Sequence, residues 1–223
     1  MRLRTAGTAL AAVLIGATAL TGCGSDAKKS STDQATIPGA DTSSAPASAS
    51  PSPSPSAADG VPEAQLPDGV TFQADLQPTG DPAKDAVLAG VTARYKAVYQ
   101  AIGKQDPEDA LYKKWTTATA TTASARQHDR TYISNLVSKQ HTVTGVYRVY
   151  DAKFTAVDDA KASVTWCEDQ TKAFAKEVGS GKVLTTTPSR SDYIFFDAIM
   201  EKGPDGRWLT SNLLGHEGDS RCQ

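Results

Sequence analysis

Apolar residues change their spacing near residue 140, and that change organises the folded part of the chain. Upstream of it, Val87, Leu88, Val91, Tyr95, Val98, Tyr99 and Ile102 recur at intervals of three and four, which places them on one face of an α-helix. Asp81-Pro82 supplies a helix cap followed by a proline suited to the first turn, and Gly103 stops the pattern, so a helix is predicted over 82–103. Asp106-Pro107-Glu108-Asp109 repeats the capping logic before a short helix carrying Leu111, Tyr112 and Trp115. A threonine-rich stretch follows. Tyr132, Ile133, Leu136 and Val137 then mark a third helix from about Thr122 to Lys139.

Downstream the period becomes two. Val143, Gly145, Tyr147 and Val149 alternate with more polar neighbours, and Ala162, Val164 and Trp166 do the same, which predicts half-buried strands. Residues 189–202 read as a third, strongly apolar strand, and Gly203-Pro204-Asp205-Gly206 turns it into a fourth bearing Trp208 and Leu209. Between the second and third strands, Asp169 to Val183 carries Lys172, Lys176, Glu177 and Lys182. It is expected as a long mobile connection with a hairpin tip at Gly179-Ser180-Gly181. Helices first and a meander afterwards define an α+β class: three N-terminal helices packed on a curved four-stranded antiparallel sheet.

This domain is expected over residues 81–223, a length that buries about 68–70% of the unfolded surface around one core. Residues 23–80 differ in kind. Ser, Ala, Pro, Thr and Asp dominate them and culminate in Pro51-Ser52-Pro53-Ser54-Pro55-Ser56. Such a segment buries too little apolar surface to fold, and its alternating prolines stiffen it, so it is expected as a disordered tether. Its last part, 67–80, contains Phe72 and Leu76 and reads either as linker or as an irregular arm lying on the domain.

At the N-terminus, Arg2 and Arg4 precede an uncharged run over residues 5–20, shorter than the roughly 20 apolar residues of a membrane-spanning helix. The run closes on Leu20-Thr21-Gly22-Cys23, which resembles the lipobox of bacterial lipoproteins. The resemblance implies a signal peptide over 1–22, cleavage after Gly22, and a diacylglyceryl group on the Cys23 thiol. The chain would then sit at the extracytoplasmic face of the cell membrane, its partner the lipid bilayer. Lipidation of Cys23 leaves Cys167 and Cys222 as the remaining thiols in an oxidising setting, so a disulfide between them is expected. Closing so long a loop is worth about 4 kcal/mol in the chain-entropy account. Metal binding by the two thiols is the alternative, but no paired Cys or His accompanies them.

The formal charge is −2, and loss of Arg2 and Arg4 makes the mature chain more acidic. Lys28-Lys29 and Lys113-Lys114 are isolated doublets, so nothing provides the basic stripe that nucleic-acid binding needs. His128, His141 and His216 have neither metal-pair nor triad spacing, and Ser189 and Ser191 lack a Gly-rich elbow. Glu168 and Asp169 follow Cys167, where they would raise the thiol's pKa were it free.

The element order and the final strand Gly206-Arg207-Trp208-Leu209-Thr210 resemble the NTF2-like fold, in which helices close a bent sheet into a cone. That resemblance implies a pocket, which some members use for acid–base chemistry with a carboxylate and a tyrosine. Asp197 is the candidate acid or base, placed by strand parity with Tyr193, Phe195 and Ile199, with Tyr193 and Tyr147 as hydrogen-bonding partners. The other reading of the same parity puts this face outside. No assembled catalytic set is visible, and no cofactor is called for. The expected function is therefore a non-catalytic binding or interaction module of the cell envelope, engaging an envelope protein or a small ligand. An acid–base enzyme of isomerase or dehydratase type, built on Asp197 and a tyrosine, is the alternative.

Overall fold

The computed structural model describes residues 62–223. The expected signal peptide, Cys23 and the proline-rich part of the expected tether lie outside the described residues. Helix α1 spans Pro82–Gly103, α2 Ala110–Lys113 and α3 Ala125–Val137. The Asp81 carboxylate caps α1 by accepting from the Ala83 and Lys84 amides, and Asp109 caps α2 through Leu111. The local signals therefore act as read. Among the described residues no helix is long and apolar enough to cross a membrane.

The sheet differs from expectation in size and sense. It has six strands: β1 Val70–Asp75, β2 His141–Val157, β3 Lys161–Glu177, β4 Val183–Leu184, β5 Tyr193–Lys202 and β6 Trp208–Glu217. Their order is β1-β2-β3-β5-β6, with β4 beside β3. All pairs are antiparallel except β1 with β2, which is parallel, so the sheet is mixed. Two corrections follow. Strand β1 arises from the segment assigned to the tether, because Val70 and Phe72 give it an apolar face and Leu66 and Leu76 pack its flanks on the core. The expected mobile connection is instead the second half of β3, paired with β2 from Asp169↔Arg148 to Glu177↔His141. Lys172 and Lys176 decorate that ladder without interrupting it. Only the turn after Glu177 answers to the expected tip, and it leads into β4.

Curvature originates in β2. Its pairing with β3 slips between Val146 and Arg148, between Tyr150 and Lys153, and between Phe154 and Ala156, and each bulge bends the strand and increases its twist. Gly145 stands beside the first slip with φ +91°, and a Cβ there would come 2.1 Å from the Lys172 carbonyl oxygen. Only glycine fits. The three helices lean on the concave side. Val87, Val91, Val98 and Ile102 of α1 meet Val143, Val149, Val164, Met200 and Leu213 of the sheet in one apolar cluster. Each such fully buried side chain contributes about 1.5–3 kcal/mol of transfer free energy.

On the convex side a smaller cluster forms where Cys167 of β3 is disulfide-bonded to Cys222 of the C-terminal turn. The expected bridge is present. Tyr150 donates its hydroxyl to the Cys222 carbonyl at 2.5 Å, and the Arg221 guanidinium lies 3.4 Å from the centre of the Phe195 ring. The chain end is thus pinned to the middle of the sheet.

Candidate functional site

Helical spacing of four puts Tyr95 and Tyr99 on the same face of α1, with Arg94 beside them. Strand parity then carries the inward face of β3 from Ala162 through Val164 and Trp166 to Glu168. These two elements meet inside the cone. The Tyr95 hydroxyl donates to Glu168 Oε2 at 2.9 Å, while Tyr99 and Gln170 Nε2 donate to Oε1 at 3.2 and 2.9 Å. Trp166 Nε1 donates in turn to the Tyr95 oxygen at 2.9 Å. Glu168 is only 2% exposed.

Beside this network lies a buried ion pair. Arg94 Nε donates to Asp129 Oδ2 of α3 at 2.9 Å, and Nη2 donates to Oδ1, while Nη1 has no partner. Burial alone would lower the Arg94 pKa, but Asp129 raises it above the ordinary guanidinium value. Burial likewise opposes ionisation of Asp129, yet Arg94 and His128 hold its carboxyl below the usual range. The pair is ionic. Glu168 has no such partner at contact distance. Burial pushes its pKa up, against the donated hydrogen bonds of Gln170, Tyr95 and Tyr99 and the charge of Arg94. Desolvation, and then the nearby Glu168 carboxyl, raise the pKa values of Tyr95 and Tyr99, so both phenols stay protonated donors.

The residues singled out from sequence divide between the two faces. Tyr147 lies inside, its ring centre 4.5 Å from that of Tyr99, and burial raises its pKa. Asp197 lies outside with its side chain 46% exposed, 3.3 Å from His216 Nε2 on β6. The reason is that both faces of β5 are apolar: Phe196, Ala198 and Met200 take the core, while Phe195 and Tyr193 belong to the disulfide cluster. Asp197 and Tyr193 are therefore corrected out of the interior. The sequence marks Glu168 only as a neighbour of Cys167. The signal that identifies it is its position two residues beyond Trp166 in an alternating strand.

Among the described residues this network is shielded from solvent. Phe72 of β1 stacks on Tyr95 with ring centres 5.3 Å apart and tilts against Tyr99 at 6.0 Å. A shallow surface groove lined by Pro62, Gln65, Lys104 and Asp109 lies apart from Glu168. Among the described residues no set of three or more His, Cys, Asp or Glu side chains converges as a metal site would require. The interior thus holds a buried carboxyl, phenol donors and an ion pair inside an aromatic wall, closed by the chain itself.

No family model and no curated protein matches the sequence. Similarity to solved structures is distant. The hexachlorocyclohexane dehydrochlorinase LinA-type3 from Novosphingobium barchaimii is 12% identical, with 60% of this chain and 88% of that one covered and a TM-score of 0.39. A ketosteroid isomerase-like protein from Erwinia carotovora atroseptica is 10% identical, with 61% and 97% covered and a TM-score of 0.38. The intermembrane space region of the chloroplast protein ARC6 gives 10%, 63% and 99%, and 0.38. At that distance the likenesses carry no argument about the chemistry of this chain.

Proposed function

We propose that this protein is a lipid-anchored lipoprotein of the extracytoplasmic membrane face whose globular part is an NTF2-like binding module. The anchor is supported by Leu20-Thr21-Gly22-Cys23 behind a short uncharged run. The NTF2-like reading is supported by N-terminal helices resting in the concave side of a bent sheet that ends in the β5–β6 hairpin. The observation that favours binding over catalysis is the burial of Glu168 behind its own donors. Glu168 is 2% exposed, and its oxygens already accept from Tyr95, Tyr99 and Gln170. A general base must come within hydrogen-bond reach, about 3 Å, of the group whose proton it removes, and here three of the roughly four acceptor sites of the carboxylate are already taken by the protein's own donors. The partners of such a module are the bilayer, through acylated Cys23, and an envelope protein or small ligand.

One observation favours a second reading, an acid–base enzyme of isomerase or dehydratase type. Glu168 has a raised pKa beside two phenols, and it replaces Asp197 in that role.

Two measurements test these readings. Replacing Cys23 by alanine should release the protein from the membrane fraction, and unchanged retention would remove the lipid anchor. Carbodiimide labelling of the native chain, read by peptide mass, should leave Glu168 unmodified while exposed Glu217 reacts. Labelling of both at equal rates would mean an open site and favour the enzyme.

A further inference from the structure

The segment that closes the cone is joined to it as a bound peptide would be. Residues 64–76 form a strap whose centre, β1, adds to the edge of β2 in parallel register from Val70↔Gly145 to Asp75↔Tyr150. Its recognition is largely through the main chain. The Gly145 amide donates to the Gly69 carbonyl at 2.9 Å, Thr144 Oγ1 donates to the same oxygen at 3.3 Å, and the Gln65 amide donates to Gln100 Oε1 at 2.8 Å. Phe72, the strap's single aromatic residue, supplies the most specific contact by seating on Tyr95 and Tyr99, while Leu66, Val70 and Leu76 add apolar packing on the core. The Arg148–Asp75 pair at 2.5 Å is partly exposed on both sides and adds little.

The hydrogen-bond network of Glu168 is complete without the strap. Every side chain that hydrogen-bonds to Glu168 comes from α1 or β3. No polar group of the Glu168 network would lose its partner if the strap left. What the departure would expose is the β2 edge opposite β1, an aromatic socket above Tyr95 and the apolar surface that Leu66, Val70 and Leu76 cover. Edge addition plus a pocket for one side chain is the physics of β-augmentation, where backbone pairing supplies affinity and a single pocket supplies selectivity.

We infer that residues 64–76 are an intramolecular occupant of a peptide-binding groove. The groove takes an extended segment of a partner protein with the pattern of Val70-Thr71-Phe72, an aromatic residue two positions after a β-branched one. In the resting chain the strap competes for the groove and keeps the partner out. This deepens the binding reading by naming the partner's chemistry, and it does not depend on the lipid anchor, which the Cys23→Ala fractionation tests separately.

The test uses the full chain and a fluorescent synthetic peptide of residues 64–76. Phe72→Ala in the chain weakens the strap in cis, so this variant should bind the peptide at least tenfold more tightly than wild type does. The same peptide carrying Phe72→Ala should not bind. A folded Phe72→Ala chain that fails to bind the wild-type peptide would overturn the proposal. Should that variant not fold, hydrogen exchange of the wild-type chain decides. Strap amides exchanging at least a hundredfold faster than the β2–β3 ladder support a detachable occupant, and equal rates overturn it.

Discussion

Tyr95 and Glu168 stand 73 residues apart in the chain and meet at 2.9 Å, hydroxyl to carboxylate, in the middle of the cone. The contact fixes the carboxyl in place but leaves its charge without a counter-ion in contact. The folded-state pKa of Glu168 lies above its ordinary value of 4.5. Its contribution to stability is therefore fully present below that pH and is lost as pH rises through the raised folded value. Glu168→Gln should remove the dependence. Denaturant midpoints measured across pH should show the variant gaining on wild type as pH increases above 4.5, and a constant difference would contradict the assignment.

The Arg94–Asp129 pair predicts the opposite slope. Asp129 has a folded pKa below its ordinary 3.8, so its contribution is present above that value and lost as pH falls through the lower folded one. Asp129→Ala leaves a buried guanidinium without its counter-ion and should cost about 3–5 kcal/mol in chemical denaturation. Replacing both partners, with Arg94→Met and Asp129→Leu, should recover most of that loss. Failure of the double variant to recover would mean that the pair does more than satisfy itself.

Gly103 ends α1 directly beneath the strap. A Cβ there would lie 2.8 Å from Pro67 Cγ. Gly103→Ala should lift the strap while leaving the helices in place, since alanine favours helix over glycine by about 1 kcal/mol. Peptide-resolved hydrogen exchange should show faster exchange over residues 64–76 and no change in α1. Faster exchange throughout the domain would instead indicate general loosening.

Replacing both Cys167 and Cys222 by alanine removes a cross-link spanning 55 residues. The expected loss is about 4 kcal/mol, mostly through greater freedom of the unfolded chain. Thermal unfolding of the double variant checks it. The Phe195–Arg221 contact should loosen as well, because the C-terminal turn is held chiefly by the bridge and by Tyr150.

Features written in a few adjacent residues are legible in the sequence. Asp81-Pro82 starts α1 and Gly203 to Gly206 turn β5 into β6, while α1 ends after Gly103 through Lys104 and the left-handed Gln105. Each of these is a local event, because a cap or a turn satisfies backbone groups within the same few residues. The pairing of Cys167 with Cys222 is legible for a different reason: it is the one pair that remains if Cys23 is lipidated, as the resemblance of Leu20-Thr21-Gly22-Cys23 to a lipobox implies.

The sheet and the site are legible only in part. Alternation reveals that a strand has two unlike faces, but on β5 both are apolar, and nothing local says whether Phe195 or Phe196 looks inward. Packing of Phe196, Ala198 and Met200 with the helices and of Phe195 with the disulfide makes that choice, so Asp197 falls outside and Glu168 inside. Strand β1 is decided even further from its own residues. Six positions with one aromatic side chain do not make a strand alone; the free edge of β2 and the rings of Tyr95 and Tyr99 make them one. By itself, the sequence determined where helices and turns begin and end, because those energies are settled among neighbours in the chain. Which groups share the buried interior was left to the tertiary structure, because burial depends on partners brought together from distant positions.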